Sequence, residues 1–254
     1  MVDVAERGTR QHLVVAVVIV LQTIARRWWA LAFLPAFFWA ARAERSRARA
    51  LRFIMIAFAV TLAAEYSSTR WGVPFGRYDY IARGDELSIS NVPVFVPLCW
   101  GIVVWGARGL AHPLRGWRLA LAGGLAAAII DLVIDPITLR GSEWFQGPLY
   151  AYRARGWWFG VPWSNYGGWI VVSAIVIWFD ELFEHPRAAG SARARDPGAA
   201  RARWLAYATC AFFVIVGSAI GEWRIASAGL VVTLALLAMI TVARGRSGNL
   251  LSRS

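Results

Sequence analysis

Long uncharged apolar runs alternate with short polar segments along most of the chain. Each run is continuous, without the period-two alternation of a half-buried strand, and most approach the length of a helix that crosses a bilayer. The pattern therefore predicts transmembrane helices. The runs cover about 51–66, 92–110, 117–134, 164–181, 203–221 and 225–243.

The first 41 residues hold two shorter apolar stretches whose path the pattern leaves open. Leu13 to Ala25 and Trp28 to Ala41 fit a tight helical hairpin, or one span followed by an interfacial segment. A cleaved signal peptide is the third alternative, although the chain stays apolar directly after the first stretch. With this region included, we expect an all-α polytopic bundle of about seven to eight spans.

Polar composition divides the chain into four predicted segments. An N-terminal segment (1–50) precedes a core decorated with polar residues (51–183). A linker rich in Pro, Gly and Arg (184–203) separates the core from a plainer C-terminal helix pair and tail (204–254). We expect the chemistry in the core.

A short motif occurs twice within the predicted core. "GVPFGRY" (72–78) and "GVPWSNY" (160–166) share Gly, Val, Pro, an aromatic residue and Tyr at the same offsets. The repetition favours internal duplication of a helix–loop–helix unit, roughly 51–110 and 117–181. In each copy, Pro restricts φ and Gly permits unusual backbone, so the loop is expected to hold its aromatic side chains at a defined angle over a cavity.

Charge and composition define the class of protein and its orientation. The chain is 58% hydrophobic, carries a net charge of +12, and all 27 of its basic residues are arginines. Alternate loops hold sixteen arginines against seven in the others, which places the richer set in the cytoplasm of a multi-pass cell-membrane protein. The arginines are scattered, so a nucleic-acid partner is not expected. Cys99 and Cys210 lie inside apolar runs and indicate neither a disulfide framework nor a metal site.

Three carboxylates lie close to the ends of predicted spans on the non-cytoplasmic side. Glu65 is near the end of one span, while Asp131 and Asp135 are one helical turn apart near the end of another. Ionisable groups at membrane depth are costly and mark functional sites. The alternative is that each carboxylate pairs with a nearby Arg and only holds loops together. By contrast, Asp180, Glu181 and Glu184 lie at the cytoplasmic end of a span and are interpreted as solvated helix-end charges.

Further polar and aromatic residues belong to the same predicted layer. They are Asp79, Arg70, Arg77, Tyr78, Trp100, Trp163, Asn165 and Tyr166. Many of the 15 tryptophans are explained by anchoring at the membrane interface, but the cluster in these loops suits the walls around a long, flat, apolar ligand.

Four segments in this order resemble the integral-membrane carotenoid hydratase family, often described as carotenoid biosynthesis proteins. They are "AAEYSSTRWGVPFGRYDY" (63–80), "NVPVFVPLCWGIVVWG" (91–106), "DLVIDP" (131–136) and "WWFGVPWSNYGGW" (157–169). The resemblance covers roughly residues 50–183. It implies addition of water to the terminal double bond of an acyclic carotenoid, giving a tertiary alcohol, with neither organic cofactor nor metal. The implied partners are a carotenoid within the bilayer and other carotenoid enzymes.

The family's motif carboxylates correspond to Glu65, Asp79, Asp131 and Asp135, and its Asn to Asn165. Protonation of an isolated alkene requires a carboxylic acid that keeps its proton near neutral pH, and burial beside a second carboxylate favours that form. We therefore expect Asp131 or Asp135 to be the acid and Glu65 the base that orients water.

The remaining predicted roles are divided among the surrounding side chains. Trp163 and neighbouring aromatics stabilise the cation, and Asn165, Tyr78 and Tyr166 hold water. Arg70 or Arg77 keeps Asp79 ionised. The alternatives are a membrane carotene end-group cyclase, which shares the protonation step, a transporter or lipid-binding protein, and a purely structural role.

Overall fold

The computed structural model of the chain describes residues 33–42, 47–81, 87–183 and 197–251. Most of the predicted N-terminal segment, and the linker up to residue 196, lie outside these described ranges. The part of the linker that is described, from Pro197 onward, is helical.

Helices dominate the described chain, as the apolar runs predicted. The described residues form seven α-helices and one short 3₁₀ helix, Gly141–Glu143. The α-helices are α1 (Phe33–Ala41), α2 (Arg47–Trp71), α3 (Phe95–Ala111), α4 (Gly116–Thr138), α5 (Trp163–Leu182), α6 (Pro197–Ala219) and α7 (Trp223–Leu251).

Three of these helices, α2, α4 and α6, are long and apolar enough to cross a membrane. The apolar parts of α3 and α7 are shorter, so full-length spans are fewer in the described chain than the seven to eight predicted. Part of the predicted run at 92–110 folds instead as a strand, and α5 begins with the polar and glycine residues of "WSNYGG". The fold is thus a helical bundle compatible with insertion in a membrane.

Two short antiparallel strand pairs lie in the connections between helices. β1 (Tyr78–Tyr80), between α2 and α3, pairs with β4 (Tyr150–Tyr152), between α4 and α5. β2 (Ser88–Ile89) pairs with β3 (Val92–Pro93) just before α3. The β1–β4 pair joins the loops of the two predicted units, so both loops lie at the same end of the bundle.

The two copies of the GVP motif share a backbone feature and then differ. Gly72 and Gly160 both have positive φ, +79° and +98°, a conformation that glycine adopts without steric cost. The aromatic residue of the first copy, Phe75, is buried, whereas its counterpart Trp163 is exposed and begins α5. The copies contact each other, since Ser164 Oγ donates to the Phe75 carbonyl at 3.2 Å.

At the opposite end of the bundle, a buried ionic cluster joins α2, α3 and α5. Asp180 is 0% exposed and lies 2.9 Å from Arg52, 3.5 Å from Arg49 and 3.8 Å from Arg108. The neighbouring Glu181 accepts a hydrogen bond from the Gly116 N–H. The prediction of solvated charges here is wrong, because arginines on α2 and α3, distant in sequence, enclose this end of α5.

Glycines allow close approach of α4 and α5. A Cβ atom at Gly124 would lie 2.4 Å from the carbonyl oxygen of Ile170, and one at Gly123 would lie 2.4 Å from Ile177 Cδ1. Small residues are favoured where membrane helices pack, because lipid provides little hydrophobic driving force for association. The contact holds the start of α5, which carries Asn165, against the end of α4.

This contact predicts that Gly124→Ala destabilises the protein by about 1–3 kcal/mol, the usual range for overpacking, because backbone must move to admit the methyl group. Gly167→Ala, in the first turn of α5, is the matched control, since nothing lies within 4 Å of a Cβ there. Thermal unfolding in detergent measures both variants. Equal unfolding midpoints for the two would contradict the proposed packing.

Candidate active site

An apolar-walled cavity lies next to the β1–β4 pair, among α2 to α6. Its empty space, including the mouth, is about 890 Å³. The helices supply apolar wall residues such as Phe95, Val103, Ile134 and Phe213. Polar groups come mainly from the helix ends nearest the strands and from the strands themselves. The cavity thus combines a hydrocarbon-like wall with one polar region.

Glu65, near the end of α2, forms part of this polar region. It is 5% exposed and accepts three hydrogen bonds. Tyr80 Oη donates at 2.7 Å and Trp100 Nε1 at 2.8 Å, and Tyr78 Oη is a third donor. Three donors and no acceptor around one carboxyl group suit its ionised form, which acts only as an acceptor.

Asp135, on the last turns of α4, has a matching environment. Tyr150 Oη and Tyr152 Oη donate to its two oxygens at 2.8 and 3.0 Å. Asn165 Nδ2 donates to Asp135 at 2.9 Å and to Asp131 at 2.6 Å, so one amide holds both carboxyl groups. Asp131 is completely buried behind Asp135 and is not part of the cavity wall.

The two aspartates lie one helical turn apart and share one amide, because Asn165 Nδ2 donates to both. Both carboxyl groups are buried, and two neighbouring carboxyl groups in a buried place favour retention of one proton between them. Asp135 is the member of the pair that faces the cavity.

Four tyrosines on the β1–β4 pair provide most of the donors. Tyr78 lies opposite Tyr152 and Tyr80 opposite Tyr150, with ring centroids 5.5–6.3 Å apart. Burial and nearby carboxylates raise the pKa of the Tyr80, Tyr150 and Tyr152 hydroxyls well above the ordinary value, so they stay protonated and can donate.

Sequence reasoning missed three of these tyrosines: Tyr80, Tyr150 and Tyr152. The available signal was the Y-x-Y spacing in "YDY" (78–80) and "YAY" (150–152). In a strand, that spacing puts both tyrosines on one face. The two segments pair although they are far apart in the sequence, with Asp79 opposite Ala151, and no local pattern in the sequence indicates this pairing.

Stacked indoles form one wall of the cavity. Trp100 and Trp169 lie parallel, with ring centroids 3.5 Å apart and an interplanar angle of 14°. Because Trp100 also donates to Glu65, its ring is held in place at both edge and face. Trp169 was not among the predicted binding residues, although it lies one helical turn after Asn165 and so shares its face of α5.

The other predicted site residues lie away from the cavity. Asp79 is exposed and pairs with Arg153 at 2.8 Å, and this guanidinium lowers the pKa of the Asp79 carboxyl. Arg70 lies over the ring of Tyr66 at 5.2 Å. The side chains of Arg77 and Trp163 are exposed, and Tyr166 is buried outside the cavity wall.

The site residues thus form two groups. Glu65, Asp135, Tyr78, Trp100 and Asn165 meet at the cavity, with Asp131 directly behind it. The alternative in which carboxylates pair with arginines describes Asp79. Within the described ranges, the three buried carboxyl groups at or directly behind the cavity instead take their hydrogen bonds from Tyr, Trp and Asn side chains.

Comparison with protein families gives a match over most of the chain. The family described as "Carotenoid biosynthesis protein" matches residues 14–237, which include every residue of the site. No curated protein and no solved structure matches the chain.

The shared amide predicts that Asn165→Ala lowers the free energy of unfolding by about 1–3 kcal/mol, because two buried carboxyl groups lose a donor. Asn91→Ala is the control, since that amide is exposed and only accepts a 3.4 Å bond from Thr69; its effect should stay within about 0.5 kcal/mol. Thermal unfolding in detergent compares them. An Asn165→Ala variant as stable as the control would contradict the role given to the amide.

Proposed function

Because the chain belongs to the carotenoid biosynthesis protein family, we propose that it adds water to the terminal double bond of an open-chain carotenoid end group. The product is a tertiary alcohol. The observation that carries the proposal is that Glu65 and Asp135 face one apolar-walled cavity, each held by three neutral donors. Hydration of an alkene requires an acid, a base and an apolar site that admits one water.

The first step is transfer of a proton to the less substituted alkene carbon. The π electrons form the new C–H bond, and the other carbon becomes a tertiary cation. Asp135 is the group that reaches the cavity, and Asp131 lies directly behind it, with the Asn165 amide donating to both. We assign Asp135 as the catalytic acid and Asp131 as the positioning residue, because a neighbouring buried carboxyl group favours the protonated form of Asp135.

The second step is attack of water on the cation. The water oxygen forms the C–O bond, and its proton passes to Glu65, whose carboxylate is oriented by Tyr78, Tyr80 and Trp100. One water is consumed and all charges balance. Return of the proton from Glu65 to Asp135 resets the site, and both groups face the same cavity.

The cation needs stabilisation while it lasts. Aromatic ring faces attract positive charge, and the Trp100–Trp169 pair stands at the cavity wall. Trp163, which the sequence suggested for this role, is 56% exposed, so we assign it to membrane anchoring. The amide nitrogen of Asn165 donates to both aspartates. We therefore assign Asn165 to positioning the acid and not to holding water.

Cyclisation of the same end group is the competing chemistry. It begins with the same protonation, but an internal double bond captures the cation. The hydroxyls of Tyr80, Tyr150 and Tyr152 favour hydration, because each donates its proton to a carboxyl group and its oxygen can still accept a hydrogen bond from a water molecule. Product mass separates the two reactions, since hydration adds one water and cyclisation adds nothing.

Expression in cells that accumulate lycopene, followed by pigment extraction and mass analysis, tests the proposal. We expect a product heavier by one water. Glu65→Gln and Asp135→Asn should reduce conversion by about 100-fold or more, the usual contribution of a general acid or base. Asp79→Asn is the matched control, because Asp79 is exposed and bonded to Arg153; it should retain conversion.

Three outcomes would contradict this assignment. A product of unchanged mass would establish cyclisation in place of hydration. Addition of water by both the Glu65→Gln and the Asp135→Asn variant would show that these residues are not the acid and base, although the protein would still be a hydratase. Loss of activity in the Asp79→Asn control, at normal protein level, would show that the exposed pair takes part in the site.

The tyrosine pair predicts a graded effect. Tyr80→Phe and Tyr150→Phe each remove one donor to a carboxyl group and keep the ring, so we expect conversion to fall roughly tenfold, as for loss of one hydrogen bond to a charged group. Tyr66→Phe is the control, since that ring lies under Arg70 outside the cavity. Initial rates in membranes measure all three. Identical rates for the three variants would contradict the role of the strand tyrosines.

A further inference from the structure

A row of small residues brings α3 and α6 into close contact. A Cβ atom at Gly109 would lie 2.5 Å from the Cβ of Ala202, and one at Gly106 would lie 3.1 Å from both the Cβ and the backbone N of Ala206. These contacts lie toward the end of α3 and the start of α6, away from the β1–β4 strands. The two backbones are therefore fixed together at this end.

The same helix faces continue into the cavity. On α6, Thr209 and Phe213 follow Ala202 and Ala206 at helical spacing, and both line the cavity. On α3, Ile102, Cys99 and Phe95 precede Gly106 at the same spacing, and they line the cavity as well. Toward the strands, the space between these two faces thus belongs to the cavity. We call this space, between 95–102 of α3 and 209–213 of α6, the wedge.

The surface of the wedge is apolar. Its one hydroxyl, on Thr209, donates to the Leu205 carbonyl of its own helix at 2.9 Å, so it has no need of a polar ligand. Phe213 packs edge-on against Trp144, with centroids 6.1 Å apart. The carboxyl groups of Glu65 and Asp135 lie on the same cavity, so a chain that fills the wedge can bring its tip to them.

We propose that the wedge between α3 and α6 binds the hydrocarbon chain of a carotenoid and so holds its tip at the carboxyl groups. Its continuity with the candidate site and its apolar wall favour this occupant over a polar one. The assignment of the reacting tip rests on the proposed function; the binding of the chain does not, because a cyclase or a carrier of the same ligand would need it equally.

Cys99 provides a native probe. It lies on the wedge wall and is partly exposed, whereas the other described cysteine, Cys210, is 0% exposed. In proteoliposomes, N-phenylmaleimide should alkylate Cys99, and a charged maleimide should do so far more slowly. Lycopene at ten times its dissociation constant should slow the reaction about tenfold by mass action. Cys210 serves as internal reference, and Cys99→Ala confirms the labelled position by mass analysis.

A bulky substitution tests the same surface independently. Thr209→Trp places an indole in the wedge and should weaken lycopene binding by about tenfold or more, as overpacking of a filled site does. Ile215→Trp is the matched control, since Ile215 is on the exposed face of the same helix. Carotenoid binding is measured by quenching of intrinsic tryptophan fluorescence, each variant being referred to its own unbound signal.

The results separate the two proposals. Protection of Cys99 without any addition of water would support the wedge and reject the hydratase. Addition of water with no protection, and with Thr209→Trp binding as tightly as Ile215→Trp, would reject the wedge and leave the hydratase. If a saturated hydrocarbon of similar length protected Cys99 as well as lycopene does, the proposal would also be overturned, because the wedge would then be a general lipid site.

Discussion

The structure depends on the satisfaction of three carboxyl groups inside an apolar helical bundle. An isolated charge in such a place is very costly, and a buried polar group without a partner costs about 1–3 kcal/mol. Among the described residues, these carboxyls are held by neutral donors: tyrosine hydroxyls, an indole and one amide. Neutral donors solvate a carboxylate without locking it in an ion pair, so each group remains free to exchange a proton.

This requirement explains why short strands occur within a helical protein. A helix places like side chains three or four residues apart, on a curved surface, whereas a strand places every second residue on one flat face. Two Y-x-Y strands in antiparallel register therefore deliver four hydroxyls to one layer. The exposed Asp79–Arg153 pair lies on the outer face of the same strands and ties them together across the register. The outer pair thus supports the inner layer without entering the cavity.

The predictable part of the site was the part that membrane energetics makes conspicuous. Glu65, Asp131 and Asp135 stand out because charge is rare near apolar runs, and their helical spacing gives their direction. The tyrosine layer was hidden, since tyrosine is ordinary at a membrane interface and the pairing of β1 with β4 is non-local. Asp180 was misjudged for the same reason: its arginines come from α2 and α3, and only the tertiary fold brings them together. The helices themselves could be predicted from local hydropathy. Their lengths could not, because strands and polar turns interrupt the apolar runs.

The hydration that we propose needs two reactants that prefer different phases. Water is available at the loop end, where Asp79 and Arg153 are exposed beside the tyrosine strands, and a polyene is available only from lipid. The carboxyl groups lie between these sources, at helix ends instead of helix centres. A site at mid-bilayer depth would have access to the polyene but not to water, and a site in the loops would have access to water but not to the polyene. Placement of the proposed acid and base at the junction of the tyrosine layer and the apolar wedge would meet both demands, and a protein that merely carries a carotenoid would not need that placement.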